Sequence, residues 1–449
     1  MTQRKVTIVI SDLHIGGGAQ DPGDDFIYQG EQFPKMLRKL GSSPEAAAGK
    51  MELFINGDFL EFAQTATDVY KLNSSKYWCT EAESLRKLDQ IMAGHPEVFK
   101  ALADFQRLKN AVTITGGNHD IDLYWPEVQR QIRTLLPDVE FELGSEWMTR
   151  YGGKLRISHG NQIDPANRFE HWDNPIMLAD HGQLRLEMCP GTLFMVKFVN
   201  WLQHDYPFAN NLHPVTKIAG VLAREDRYGF TAAAWMFARF GIRNFSDFLG
   251  KEGEEKAQTD RVLLDAVKYD QTFRKRLVEV YRVARSDPDA TPQTVAAAIC
   301  DENALAQFMA DSLAAVDTKS WLELFSLAKP DVLSTEDGTG ETLALIWSGA
   351  KADTLWRDEA AKQWKQGAEV VVIGHTHLPE QAKEGGKAYY NPGCWTRYVT
   401  GEQLAGLRLA DLKQEEKFPY QLNYVRVAEK PEGGLESEMI CVEERKSFG

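Results

Sequence analysis

The chain has 449 residues, of which 43% are hydrophobic and 26% charged, the composition of a folded protein long enough for a large core and at least one further domain. Its 51 basic and 65 acidic residues leave a formal charge of −14, which excludes long-range attraction to nucleic acid or anionic lipid as a general mode of binding. The five cysteines (Cys79, Cys189, Cys300, Cys394 and Cys441) are odd in number and contain no CxxC; this argues against a disulfide framework or a cysteine zinc site and favours a reducing compartment, the cytoplasm.

The first predicted element is a strand over residues 5–10 (KVTIVI). The basic residues before it imitate a signal peptide, but the apolar run is short and breaks at Ser11-Asp12-Leu13-His14. A second strand, 51–55 (MELFI), runs into Asn56-Gly57-Asp58. Residues 80–92 read as a helix: Thr80 and Glu83 have the spacing of a capping box, and Leu85, Leu88 and Ile91 recur at helical intervals. Another helix is expected after His95, with Pro96 in its first turn. The third strand, 111–115 (AVTIT), leads to Gly116-Gly117-Asn118-His119-Asp120, and the fourth, 154–158 (KLRIS), to His159-Gly160.

The pattern then becomes helical, with amphipathic stretches at 191–204, 214–224, 231–239, 271–285 and 291–315. Roughly 200 residues separate the fourth signature from the fifth, far more than an ordinary loop, so 164–366 is expected to be an inserted helical domain. The fifth strand, 369–373 (EVVVI), runs into Gly374-His375-Thr376-His377; a glycine turn at Gly385-Gly386 and strands at 419–428 and 435–443 follow. No apolar stretch approaches the ~20 residues of a membrane span. Residues 1–163 and 367–449 are therefore expected to form the two parts of one α/β core.

All five polar signatures follow β-branched runs that read as strands buried on both faces. Ligand sites in α/β sheets gather beyond such strand ends. Aspartate oxygens, imidazole nitrogens and an asparagine carbonyl form a mixed donor set suited to Mn²⁺, Fe²⁺/Fe³⁺ or Zn²⁺ rather than Ca²⁺. Asp12 and His14, like His375 and His377, are two residues apart, which in a regular strand aims both at one face. A carboxylate such as Asp58 can bridge two cations ~3.5–4 Å apart, a spacing that clamps a phosphate.

The ordered series Asp-x-His, Gly-Asp, Gly-Asn-His-Asp, His-Gly and Gly-His-Thr-His resembles the calcineurin-like metallophosphoesterase superfamily over about 6–160 and 369–395. That resemblance implies two packed mixed β-sheets flanked by helices. It implies two divalent metal ions: Asp12, His14, Asp58 and His377 hold the first, and Asp58, Asn118, His159 and His375 the second. It further implies hydrolysis of a phosphomonoester, phosphodiester or pyrophosphate by metal-activated hydroxide. His119 would be the general acid or transition-state stabiliser, and Asp120 would orient it. Asn161 and Arg168, in the polar stretch after His159, are candidate substrate contacts, and His171 and His181 weaker ones.

Some members carry a helical insert between the same two motifs that holds acyl chains; the insert here is much larger. Its apolar stripes, Phe194 to Leu202 and Trp235 to Phe240, fit either a core or a cap that selects the substrate. The expected partner is thus a phosphoester, with no transmembrane segment and no bulk nucleic-acid binding; the motifs imply no particular oligomeric state. The alternative is an inactive scaffold of the same fold that binds protein partners. Loss of ligand residues would mark that alternative, and none is lost.

Overall fold

The computed structural model describes residues 6–27, 31–65, 77–164, 167–179, 182–189, most of 191–213, parts of 264–308, 352–400 and 406–446. In chain order the first part contains β1 (Val6–Ile10), α1 (Gln32–Gly41), α2 (Pro44–Ala47), β2 (Met51–Asn56), α3 (Glu81–Gly94), α4 (Pro96–Arg107), β3 (Ala111–Thr115), α5 (Pro126–Leu135), β4 (Val139–Phe141), β5 (Met148–Arg150) and β6 (Leu155–Ser158). A hairpin of β7 (Ile176–Leu178) and β8 (Leu184–Leu186), the short β9 (Leu212–His213) and α6 (Pro292–Ala298) follow. The last part contains α7 (Ala352–Lys365), β10 (Val370–Ile373), β11 (Glu380–Glu384), β12 (Lys387–Asn391), β13 (Val399–Thr400), β14 (Tyr420–Glu429) and β15 (Leu435–Arg445).

Two mixed sheets result. The first has strand order β15-β14-β1-β2-β3-β4, with β1 to β4 parallel and β14 antiparallel to β1. The second has order β11-β12-β10-β6-β5, with β12, β10 and β6 parallel and both edges antiparallel. Val9, Phe54, Val425 and Val427 of the first sheet share one buried cluster with Leu155, Ile157, Val370, Val372 and Tyr390 of the second.

The opposite face of the first sheet, carried by Ile8, Ile10, Leu53, Ile55 and Ile114, is covered by Phe33, Leu88, Ile91, Val98, Leu102 and Ile132 from α1, α3, α4 and α5. The opposite face of the second packs Val371, Ile373 and Tyr389 against Trp356 and Ala360 of α7. The layers are helices, sheet, sheet, helix. Strands with both faces covered cannot alternate apolar and polar residues, which explains their unbroken apolar runs.

Local signals behave as the sequence suggests. Thr80 caps α3 in a complete capping box with Glu83, and Pro96 opens α4. Gly385 and Gly386 both take positive φ, 56° and 79°, as a two-residue hairpin turn between β11 and β12 requires. One polar network joins the sheets: Glu52 of β2, fully buried, accepts from Arg150 of β5 at 2.8–3.0 Å and from the Thr113 hydroxyl at 2.8 Å.

Of the helical segments expected between 164 and 366, 214–224 and 231–239 lie outside the described residues, as do Phe194, Trp201, Leu202, Trp235 to Phe240 and His181. Within 291–315, α6 spans Pro292–Ala298. Phe169, Trp172, Leu186 and Cys189 belong to the same buried cluster as β1, β2 and β3, and β9 pairs in parallel with β13. The described residues of 167–213 are thus built onto the core. Among the described residues no helix is long and apolar enough to cross a membrane.

Candidate metal centre

The parallel strands β1, β2 and β3 of one sheet and β6 and β10 of the other deliver five loops to one place. Asp12, His14, Asp58, His375 and His377 all adopt left-handed backbone, with φ of 56°, 51°, 46°, 71° and 62°. Nine non-glycine residues do so among the described residues, and five of them are these, so the strained backbone is concentrated where the motifs converge. Such conformations cost about 1–3 kcal/mol each and gather at functional sites; Asp and His tolerate them better than most residues.

This corrects the expectation that a regular strand aims Asp12 and His14 at one face. β1 ends at Ile10, and the two side chains converge through left-handed turns. Backbone bonds from Asp12 N to Gly57 O (3.2 Å) and from His14 N to Asp58 O (2.9 Å) lace this loop to the one after β2.

Of the four groups of potential ligating atoms among the described residues, two bring the expected metal residues together. Asp12, His14, Asp58 and His377 offer one atom each within 4.8 Å of one another, and so do Asp58, His159 and His375. In the first group His14 Nε2 lies 2.9 Å from His377 Nε2 and 3.7 Å from Asp58 Oδ2, and Asp12 Oδ1 lies 3.5 Å from His377 Nε2. In the second, His159 Nε2 lies 3.3 Å from Asp58 Oδ2 and 3.4 Å from Asn118 Oδ1. Asp58 is common to both.

The rings are oriented from behind. His14 Nδ1 is 2.7 Å from Glu61 Oε2, and His159 Nδ1 donates to Asn56 O at 2.9 Å. Each bond turns Nε2 toward the cluster, the way outer partners fix imidazole ligands. Asp12 Oδ1 and His375 Nδ1 are buried atoms without a hydrogen-bond partner, and a cation would satisfy them. With this donor chemistry, the buried clusters could hold metal ions.

Close packing sets the loops. His375 N donates to Asp12 Oδ2 at 3.0 Å, and Asn391 Nδ2 donates to Gly374 O at 3.1 Å and Thr376 Oγ1 at 2.8 Å. A Cβ on Gly374 would press on the Ser11 hydroxyl and come within 2.8 Å of Asp12 Oδ2; one on Gly117 would lie 2.6 Å from Asp58 N. No other side chain fits at either position.

Burial raises the Asp12 carboxyl above its usual range, opposed by His159. Burial also works to raise Asp58, but His159 and His119 outweigh it and hold Asp58 well below that range. Burial lowers an imidazole, yet Asp58 and Asp12 push His159 up to about 9, and Glu61 and Asp58 push His119 up to about 10. The concentrated carboxylate charge retains protons on the rings, and cations would replace that compensation.

His119 is not oriented by Asp120. Its Nδ1 lies 2.9 and 2.8 Å from the two carboxylate oxygens of Glu61. Asp120 Oδ1 accepts from Gly117 N at 2.6 Å and Oδ2 from Phe59 N at 2.8 Å. The short aspartate side chain reaches its own turn three residues back more readily than its neighbour's ring. Glu61, fully buried, thus serves both His14 and His119. An acid three residues after Asp58, set among Phe59, Leu60 and Phe62, was the available signal, because a buried carboxylate needs partners.

Asn161 is buried, and its Nδ2 donates to Gln162 Oε1 and Asn167 O at 3.4 Å; exposed Arg168 donates from Nε to Gln162 O at 2.9 Å. These bonds brace the loop itself. His171 Nδ1 lies 3.2 Å from Glu187 Oε2. The same loop instead brings Asp164 and Asn167 to His375, at 3.0 and 3.3 Å, two residues the motifs did not single out. Compared with known proteins, the chain matches no family model, and no curated protein matches it.

Proposed function

We propose that the chain is a two-metal phosphoesterase of the calcineurin-like metallophosphoesterase superfamily. The observation that carries this reading is the position of Asp58, whose Oδ2 lies 3.7 Å from His14 Nε2 and 3.3 Å from His159 Nε2, so that one carboxylate belongs to both ligand groups. Asp12, His14 and His377 would hold one divalent ion with it, and Asn118, His159 and His375 the other. A pair of Mn²⁺, Fe²⁺/Fe³⁺ or Zn²⁺ ions would polarise the phosphoryl group and lower the pKa of water.

His119 is the chain's own acid–base group in this reading. Its ring lies against His14, with centroids 4.7 Å apart. Glu61 holds its Nδ1, which leaves Nε2 to give a proton to a departing oxygen or to stabilise its charge. The segment after Asp164 would select the substrate; it reaches the site through Thr192, whose hydroxyl donates to Asn118 O at 3.1 Å.

The test is an assay of metal-stripped protein on bis-p-nitrophenyl phosphate with and without Mn²⁺. Hydrolysis that requires Mn²⁺ and disappears in Asp58→Asn is expected. Protein that binds two ions yet hydrolyses no mono-, di- or pyrophosphate ester would favour the partner-binding scaffold instead.

A further inference from the structure

The loop that leaves β6 turns back over the second ligand group. Asp164 Oδ2 lies 3.0 Å from His375 Nε2 and accepts from Asn167 Nδ2 at 2.6 Å. Asn167 Nδ2 is also 3.3 Å from His375 Nε2, and Asn167 Oδ1 accepts from Asn118 Nδ2 at 3.4 Å. Two of the four residues of the second group, His375 and Asn118, therefore touch this one loop.

The proton on His375 can be placed by elimination. Nδ1 is buried and has no hydrogen-bond partner. A proton there would be a buried donor without an acceptor, which native structures avoid. A proton on Nε2 meets the Asp164 carboxylate, and a charge-assisted bond is the stronger kind. Asn167 Nδ2 and His375 Nε2 then both donate to the same carboxylate oxygen, and their own 3.3 Å approach needs no hydrogen bond. Nδ1 keeps its lone pair. His14 with Glu61 and His159 with Asn56 O are arranged alike, one nitrogen tied back and the other left for the cluster. Asn167 does the same for Asn118: by taking the Nδ2 hydrogen it leaves Asn118 Oδ1 on the side of His159 Nε2, 3.4 Å away.

We propose that Asp164 is the positioning carboxylate of the second cation site, accepting the Nε2 proton of His375 and thereby presenting Nδ1 to the ion, with Asn167 carrying the same restraint to Asn118. The inference rests on the two-metal reading. It also ties the head of the segment between the two halves of the core directly to one of two ions and not the other.

The test is titration of the metal-stripped full-length chain with Mn²⁺, followed by electron paramagnetic resonance and by calorimetry, for wild type, Asp164→Ala and Asp164→Asn. Wild type should take two ions and show the exchange-coupled signal of a dinuclear pair. Asp164→Ala should keep the first ion at wild-type affinity, bind the second about 10- to 100-fold more weakly, and show an uncoupled signal at one equivalent of excess Mn²⁺. Asp164→Asn retains an acceptor oxygen and should recover part of the lost affinity. Thermal melting of the three metal-free proteins separates a general folding defect, in which both affinities fall together, from the expected loss at one site; the former would overturn the proposal. Two ions of unchanged affinity and coupling in Asp164→Ala would overturn it while leaving the two-metal reading intact. A wild-type chain that takes no second ion would overturn both.

Discussion

Glu61→Gln isolates the charge of one carboxylate with almost no change of shape. Glu61 is fully buried; its Oε2 faces His14 Nδ1 at 2.7 Å and His119 Nδ1 at 2.8 Å, and its Oε1 accepts from Gln64 N at 2.9 Å. A glutamine can place its one carbonyl oxygen at the Oε2 position and keep both imidazole bonds, but its amide hydrogens then meet the Gln64 N–H. In the other orientation the oxygen keeps Gln64 N and, at 2.9 Å, His119 Nδ1, and His14 alone meets the amide hydrogens. The two imidazole bonds lose their charge assistance. Bonds to charged groups are worth about 1.5–3 kcal/mol and neutral ones about 0.5–1.5, so about 1 kcal/mol is lost at each ring. If one to two such increments reach the transition state, kcat falls about 5- to 30-fold.

The one donor left facing the amide, Gln64 N–H or His14 Nδ1–H, should also destabilise the fold by about 1–3 kcal/mol. The assay is kcat and metal affinity on a p-nitrophenyl and an alkyl ester, with urea unfolding alongside. Glu61→Ala, which removes both acceptors, should be worse than Glu61→Gln on every readout. A Glu61→Gln variant with wild-type kcat and wild-type Mn²⁺ affinity would refute the idea that this carboxylate orients His14 and His119.

Other perturbations follow from the same geometry. His119→Gln should keep both ions and lose about 10²–10⁴-fold in kcat, less on p-nitrophenyl than on alkyl esters because an acidic phenol departs without a proton; equal losses would make it a charge-stabilising group. Gly117→Ala should drive a methyl into Asp58 and abolish binding of both ions in metal analysis, whereas an intact dinuclear centre would show that the loop can yield. Arg150→Met leaves the buried Glu52 with hydroxyl donors and should cost about 3 kcal/mol in urea unfolding with little change in metal affinity; a cost under about 1 kcal/mol would mean the pair contributes little across the sheets.

The strands were legible because both faces of each are covered: β3 falls on the expected residues, β1 matches over its described residues, and β2, β6 and β10 differ by one residue at an end. Thr80 and Pro96 announced α3 and α4 through local chemistry alone. The five polar signatures could be placed because each stands just past such a strand; the choice of seven ligands within them came from the resemblance of their ordered series. What was not legible was how they converge. The left-handed turns at Asp12, His14 and Asp58 depend on contacts between loops distant in sequence, such as His14 N to Asp58 O. The outer partners were hidden for a similar reason. Asp120 is adjacent to His119 in sequence but serves the backbone of Phe59 and Gly117, while Glu61 reaches His119 across the fold. In the polar loop after His159, composition did not distinguish Asn161 and Arg168, which brace the loop, from Asp164 and Asn167, which meet His375.

Asp58 stands between the two ligand groups, and ion stoichiometry tests that position most directly. Metal-stripped wild type and Asp58→Asn would be equilibrated with Mn²⁺ and the bound ions counted by elemental analysis, with thermal melting to confirm that both are folded. The expected result is two ions in wild type and weakened binding of both in Asp58→Asn. A folded Asp58→Asn protein that retains two tightly bound ions, or a wild type that binds none, would contradict it.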